Sequence, residues 1–393
     1  MTVKDFTMNL LSPFSFALPT RIEYGAGAVE KLVDELALIN ARRVMLITDV
    51  RLASSGVLSR FTTFLASKRI AYDIFARVEA NPKDYNVEEG AKKAAFDKPD
   101  CLVAIGGGSP IDCAKAISVV ASNGGQVRDF EGYGKISGAV LPLIAIPTTA
   151  GSGSEVTFSA VVTDSREHFK FSIKDPKIAP RVALVDPEMT LSMPAALTAA
   201  TGMDALTHAI EAYTAKAAEP LSDAVALHAV ELITTHLRAA VSEGQNIEAR
   251  SGMLLGSLLA AIAFSHSDVA AVHCIAEALG GQYDLPHGVC NAVTLPAVME
   301  YNLDYCVDRY ARIAVAMGLG EGSVESRARQ AVAEVKKLAA DIHLPEFRQL
   351  GVKEGDFEKL ANNSAANGSN RDNPRPMEKG DYLKILMGLN ETA

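Results

Sequence analysis

The residues in this 393-residue chain best able to do chemistry together are one aspartate and three histidines. Asp204-Ala-Leu-Thr-His208 sets a carboxylate and an imidazole four residues apart, so that on a helix both project from one face. His273 lies in a later apolar stretch, and His287 stands in the turn Leu285-Pro286-His287-Gly288. One carboxylate with three imidazoles suits a borderline divalent ion such as Fe²⁺ or Zn²⁺. It is a poor set for Ca²⁺ or Mg²⁺, which prefer oxygen. The other histidines (His168, His228, His236, His266 and His343) lack such company and read as structural or solvated.

A second chemistry is written in two polar turns. Gly106-Gly107-Gly108-Ser109 follows an apolar run and precedes a helical one, Ile111 to Val120. Glycines let a backbone approach a pyrophosphate closely, and a helix N-terminus offers free N–H groups to its charge. As a dinucleotide fingerprint the turn is imperfect, because Ile111 takes the third glycine position and the acidic residue, Asp49, lies upstream. Pro147-Thr-Thr-Ala-Gly-Ser-Gly-Ser-Glu155 adds four hydroxyls and two glycines in one loop. That composition suits diphosphate and ribose contacts. Asp49 at a strand end could accept from a ribose 2′-OH and would repel a 2′-phosphate, which favours NAD over NADP.

These residues need elements to hold them. Val44 to Thr48, Cys101 to Ile105, Leu141 to Ile146 and Val182 to Val185 are short apolar runs, with helical candidates around Leu58 to Lys68 and Val87 to Phe96. Such alternation implies a parallel sheet covered on both faces. From Pro194 the chain becomes rich in Ala, Leu, Glu and His at helical spacing. Ala195 to Ala215, Ser222 to Leu237, Ala249 to Leu279 and Val324 to Ile342 all read as helices. Asn362 to Arg375 reads as a loop. With Asp186-Pro187 as the boundary, the expectation is an α/β domain over residues 1–187, an all-helical domain over 188–393, and a cleft between them.

Composition narrows the class. Hydrophobic residues at 48% and charged residues at 22% are ordinary for a globular chain with a large core. A net charge of -9 argues against a nucleic-acid partner. Five cysteines without a paired framework fit free thiols in a reducing compartment, and the cytoplasm is the default location. Asp5, Pro13 and Pro19 interrupt the opening segment Met1 to Arg21 and argue against a signal peptide. Met253 to Phe264 is too short for a bilayer span of about 20 residues and reads as a buried core helix, so no membrane partner is expected.

Taken together, the sequence resembles the iron-containing (group III) alcohol dehydrogenase family over nearly its whole length. The resemblance runs through Leu18-Pro-Thr-Arg-Ile22, Tyr24-Gly-Ala-Gly27, Ile47-Thr-Asp49, Asn81-Pro82 and Gly106-Gly-Gly-Ser-Pro-Ile-Asp112. It continues through Pro147 to Glu155, Thr201-Gly-Met-Asp-Ala-Leu-Thr-His-Ala-Ile-Glu211, Leu285-Pro-His-Gly-Val-Cys-Asn291 and Asn373-Pro-Arg375. It implies a dehydroquinate synthase-like architecture, with a dinucleotide-binding N-terminal domain and a helical metal-binding C-terminal domain. The implied metal ligands are Asp204, His208, His273 and His287, holding Fe²⁺ or alternatively Zn²⁺. The implied NAD contacts are Asp49, Asn81, Gly107, Gly108, Ser109, Asp112, Thr148, Thr149, Ser152 and Lys170. Without the resemblance, Lys170 would read as a surface lysine.

The implied activity is reversible oxidation of a primary alcohol or short diol to an aldehyde, the metal acting as Lewis acid and the nicotinamide taking the hydride. Many relatives carry a histidine one turn after the third metal ligand; this chain has Glu277 there. That carboxylate could relay a proton, bind a polar substrate group or hold a ligand in place. Phe264, about two and a half turns before His273 on one proposed helix, is expected to face the same side and line the substrate pocket. The alternatives are a glycerol-dehydrogenase-like zinc polyol enzyme, a metal-dependent lyase or hydrolase on the same scaffold, and a non-catalytic NAD-binding protein. A homo-oligomer is expected, with a dimer as the commonest symmetric form.

Overall fold

The structure is a computed structural model that describes residues 12–391. Asp5, on which the reading of the opening segment partly rests, lies outside the described residues. The chain divides into two compact units, one of Leu18–Ser192 and one that takes the chain from Met193 together with residues 12–17. The division therefore falls after Ser192 rather than after Pro187. The cause is local: Asp186 accepts from the Glu188 N–H and opens a short turn, and Met189 within that turn still packs in the core of the α/β unit.

In the α/β unit the strands are β1 (Arg21–Tyr24), β2 (Arg43–Asp49), β3 (Ala71–Val78), β4 (Cys101–Gly106), β5 (Gly132–Tyr133), β6 (Leu143–Pro147), β7 (Ser159–Asp164), β8 (Phe169–Lys174) and β9 (Val182–Val185). The helices are α1 (Leu32–Leu38), α2 (Val50–Ser54), α3 (Leu58–Ser67), α4 (Asp84–Asp97) and α5 (Gly108–Asn123). Six strands form a parallel sheet in the order β1-β9-β6-β4-β2-β3, while β5, β8 and β7 form a small separate sheet. Alternate residues of the large sheet supply two cores. Met45, Ile47, Leu102, Ala104, Leu143 and Ala145 face α4 and α5; Val44, Leu46, Val103, Ile105, Ile144 and Ile146 face α1 and α3. Strands buried on both faces read as unbroken apolar runs, which is why they stood out in the sequence. The chain goes from β2 outward to β3 and then returns to place β4 on the other side of β2. The strand order thus reverses at the ends that carry Asp49 and Gly106, the usual ligand position in such sheets.

The helical unit contains α6 (Ala195–Thr214), α7 (Pro220–Ser242), α8 (Ile247–Ser267), α9 (Ala271–Tyr283), α10 (His287–Asn302), α11 (Val307–Ala316), α12 (Val324–Asp341), α13 (Phe357–Ala366) and α14 (Lys379–Glu391). From Gly202 to its end, α6 is buried on every side, so it is the axis of the unit. By length and composition α7 and α8 could cross a membrane, but α8 is a largely buried core helix and α7 packs along it, with its Arg238 paired to Glu334 and Asp341. Two expectations are corrected. Ala249 to Leu279 is two helices, because Asp268 takes a left-handed conformation (φ 63°) and the turn from Asp268 to Ala270 redirects the chain. Asn362 to Arg375 is largely helical: Asn362 to Ala366 complete α13, and a short turn of helix follows from Gly368 to Asp372. Among the other histidines, the His266 ring stacks under Phe16 and bonds the backbone of Ala17, a structural role. The five cysteines are free and buried, and burial pushes the thiols of Cys101 and Cys306 up to about 12.

Candidate metal centre and cofactor loops

Helix α6 presents Asp204 and His208 from one face, as their spacing requires. His273 comes from the first turn of α9, and its donor atom lies with those of Asp204 and His208, all three within 4.8 Å of one another and all buried. His287 opens α10 and completes the group, its Nε2 3.8 Å from Asp204 Oδ1 and its ring 5.3 Å from that of His273. Gly288 makes this approach possible: a Cβ there would lie 2.4 Å from the Ala200 carbonyl oxygen, so only glycine lets α10 start against α6.

The donors behave as a set made for a cation. The Asn291 amide nitrogen stands among them, 2.6 Å from Asp204 Oδ1 and 3.2 Å from Nε2 of both His273 and His287. An amide NH₂ has two hydrogens for these three acceptors, so one lone pair is left over in a buried site. A divalent ion would satisfy all of them, and the mixed nitrogen and oxygen donors match iron or zinc. Burial works to raise the Asp204 pKa, but the three histidines together hold its carboxyl below the usual range. Burial resists charging His273, yet a hydrogen bond to Glu211 and then the charges of Glu211, Asp204 and Glu277 lift it above an ordinary imidazole.

Phe264 belongs to α8, not to the helix of His273. Nine residues at about 100° each would have put the two on opposite sides of a continuous helix. The break at Asp268 instead lets Phe264 stack on His208, with ring centroids 4.4 Å apart and planes at 19°. Glu277 lies one turn beyond His273, half-buried, and accepts from the Asn367 amide at 2.6 Å. Sequence reasoning passed over Glu211 and Asn291. Their signals were there to be read: Glu211 is seven residues beyond Asp204, and Asn291 is four beyond His287, each returning to the face of a ligand.

In the α/β unit the two polar turns meet, because β4 and β6 are neighbours with Gly106 opposite Pro147. The Thr148 N–H donates to the Gly106 carbonyl at 3.0 Å. A Cβ on Gly107 would come within 2.9 Å of Thr149 Oγ1, and one on Gly108 within 2.8 Å of Ser152 Oγ. Both glycines are therefore required to keep the cradle open. Helix α5 begins at Gly108, with Ser109 in its first turn, so its free N–H groups point into this cradle. Asp49 ends β2 and caps α2 through the Leu52 N–H. Asn81 and Lys170 are buried and bonded to each other, Nζ to Oδ1 at 2.7 Å, so the reading of Lys170 as a surface residue is corrected. Asp112 turns inward: Oδ2 accepts from the Val161 N–H and Oδ1 from the Ser154 hydroxyl. It thus holds the second loop from beneath.

A dinucleotide cradle at the reversal of a parallel sheet, with an Asp/His₃ cluster in a helical unit, defines a metal-dependent, NAD-linked oxidoreductase. The comparisons with known proteins make the class specific. Residues 19–187 match the family model described as iron-containing alcohol dehydrogenase, and residues 198–389 match that of the Fe-containing alcohol dehydrogenase family, C-terminal. The chain is 39% identical to the NAD-dependent methanol dehydrogenase of Bacillus methanolicus over 375 residues, 95% of this chain and 98% of that one. It is 40% identical to the 1,3-propanediol dehydrogenase of Klebsiella pneumoniae over 378 residues, 95% of this chain and 97% of that one. A crystal structure of 1,3-propanediol oxidoreductase superposes with a TM-score of 0.93 at 38% identity, covering 96% of this chain and all of that one. The chain belongs to the iron-containing alcohol dehydrogenase family and is an NAD-dependent alcohol dehydrogenase. These relatives favour alcohol oxidation over the lyase, hydrolase and non-catalytic readings.

Proposed function

We propose that this enzyme interconverts short primary alcohols or diols with their aldehydes, using Fe²⁺ held by Asp204, His208, His273 and His287. The observation that carries the reading is the convergence of Asp204, His208 and His273, all buried, with His287 beside Asp204 and the Asn291 amide touching three of the four. The relatives named for methanol and for 1,3-propanediol support a small primary alcohol or diol as substrate. Zn²⁺ suits the same donors and is the alternative metal. When bound, the ion supplies Lewis acidity to the alcohol oxygen, and NAD⁺ accepts the hydride.

The chain's own residues bind and orient. Asp204 brings one negative charge to a site whose other donors are imidazoles, and Phe264 holds the His208 ring by stacking. In the α/β unit Gly107, Gly108 and Ser109, with Thr148, Thr149 and Ser152, hold the diphosphate. Asp49 meets the ribose, while Asn81 and Lys170 contact the cofactor as a pair. Glu277 takes or returns the alcohol proton, with Asn367 fixing its carboxylate. The enzyme works in the cytoplasm as a homo-oligomer, a dimer being the simplest.

The test is NADH formation across short alcohols and diols by anaerobically prepared apo-protein supplied with Fe²⁺ or Zn²⁺ in turn. Metal-dependent turnover that disappears in His273→Ala is the expected result. Turnover that is independent of metal, or that survives His273→Ala, would overturn the assignment of the centre.

A further inference from the structure

We propose that Glu211 is the positioning residue of the metal centre, holding His273 in the one tautomer and orientation that aim Nε2 at the ion; the inference rests on the metal-site reading above. Glu211 sits on α6, seven residues after Asp204 and three after His208. At about 100° per residue the three fall within about 60° of arc. The helix that carries two ligands therefore also carries the group that reaches for the third.

The Glu211 carboxylate meets three hydrogen-bond partners, all on α9 or its entry, and it is itself buried. Oε1 accepts from the Val272 N–H at 2.7 Å; Oε2 accepts from the Ala270 N–H at 3.0 Å and lies 2.5 Å from His273 Nδ1. An ionised carboxylate can only accept, so the His273 Nδ1 must carry the proton. Nε2 is then left with its lone pair toward the Asn291 amide nitrogen, 3.2 Å away. The same two oxygens anchor the start of α9. No side chain of α9 caps its N-terminus, the backbone at Ala270 is non-helical, and Asp268 just before it is left-handed. The first turn of α9 is thus fixed from α6 by a negative charge at a helix N-terminus. One side chain sets the ring's tautomer and the position of the turn that carries the ring.

Glutamine separates these duties from mere space-filling. Its amide fits the same volume, but one of its two ends is a donor, and every partner here is a donor too. With its nitrogen at the Oε2 position the amide meets the Ala270 N–H and drives the His273 proton to Nε2, which can then no longer ligate; at the Oε1 position it meets the Val272 N–H instead and releases the turn that carries the ring. Substitution of such an outer partner typically weakens metal binding about 10–100-fold.

The test compares Zn²⁺ affinity of wild type, Glu211→Gln and His273→Ala by competition with a chromophoric chelator. Nitrogen-15 histidine spectra of the Zn²⁺-loaded wild type are recorded beside it. The expected results are a 10–100-fold loss in Glu211→Gln and, in wild type, a His273 that binds through Nε2 with its proton on Nδ1. Affinity within twofold of wild type in Glu211→Gln overturns the inference, even where thermal stability falls. So does a wild-type spectrum in which His273 binds through Nδ1, a result that does not depend on the variant folding. No Zn²⁺ or Fe²⁺ uptake by wild type is a separate outcome, which removes the metal reading itself and this inference with it.

Discussion

Lys115 and Ser154 are joined at 2.9 Å, ammonium to hydroxyl, beneath the loop that follows β6. The same ammonium donates to the Thr157 hydroxyl and the Ser159 carbonyl, each at 2.8 Å, and lies 3.8 Å from Asp112 Oδ1. A buried cation on α5 therefore ties down the far side of the loop whose near side faces the cradle.

Replacing Lys115 by Met would leave Asp112 and Glu155 buried without their cation. Breaking a buried charge pair from one side costs about 3–5 kcal/mol, so Lys115→Met is expected to lower the unfolding midpoint markedly. It should also raise the KM for NAD⁺ by about tenfold or more as the loop loosens, while metal affinity of the helical unit stays unchanged. Thermal unfolding, cofactor titration and chelator competition on one preparation separate these effects. An unchanged KM for NAD⁺ would show that the loop does not depend on Lys115.

Glu155 supplies a pH dependence. Burial pushes its carboxyl up to about 7, with the nearby Lys115 pulling the other way. Burial likewise brings Lys115 down to about 8. Between its unfolded value near 4.5 and its folded value near 7, Glu155 keeps its proton in the folded chain and loses it in the unfolded one. The unfolded state then binds fewer protons, so this group's contribution to stability is full below about 4.5 and is lost as pH rises to 7. At about 1.4 kcal/mol per unit the loss is on the order of 3 kcal/mol. Glu155→Gln removes the dependence, so its stability relative to wild type should increase from pH 5 to pH 7 in urea unfolding of the holo-protein. A difference that is flat across that range would refute the assignment.

The sheet was legible because its strands are buried on both faces and appear as unbroken apolar runs. The first helix of the metal centre was legible because Asp204 and His208 keep one face at helical spacing. What could not be read were features set by contacts between distant segments. The break at Asp268 carries no proline or glycine, so Ala249 to Leu279 looked continuous, and the relation of Phe264 to His273 was misjudged with it. Lys170 looked like any surface lysine, since only the fold brings Asn81 to it. Asp112 was placed on the cofactor by resemblance, and its bonds to Ser154 and Val161 are partners that only the fold brings to it.

Gly288 tests how tightly the metal centre depends on helix packing. An added methyl would meet the backbone carbonyl of Ala200, which has no rotamer by which to yield. The start of α10 must then move away from α6, taking His287 with it. Gly288→Ala is expected to destabilise by about 1–3 kcal/mol and to weaken Zn²⁺ binding. Gly388→Ala, within α14, where a Cβ meets nothing within 4 Å, should instead stabilise by about 0.4–1 kcal/mol. Equal Zn²⁺ affinity in both variants would mean that His287 is not tied to the α6–α10 contact.

Glu277 separates proton transfer from scaffolding. Its carboxylate oxygen accepts from Asn367, and a glutamine in its place can keep that bond through its own carbonyl oxygen. Glu277→Gln thus preserves size, packing and the tie to Asn367 while removing the group able to take a proton. If Glu277 handles the alcohol proton, kcat for oxidation should fall about 10²–10⁴-fold, with KM for NAD⁺ and metal content close to wild type. The fall should lessen at high pH, where hydroxide can take the proton instead. If Glu277 only supports the α9 scaffold, glutamine should be nearly silent in kcat at every pH, and Glu277→Ala should lower the unfolding midpoint without changing the shape of the pH–rate curve. The two variants assayed together across pH therefore decide between a carboxylate that reacts and one that only holds its neighbours in place.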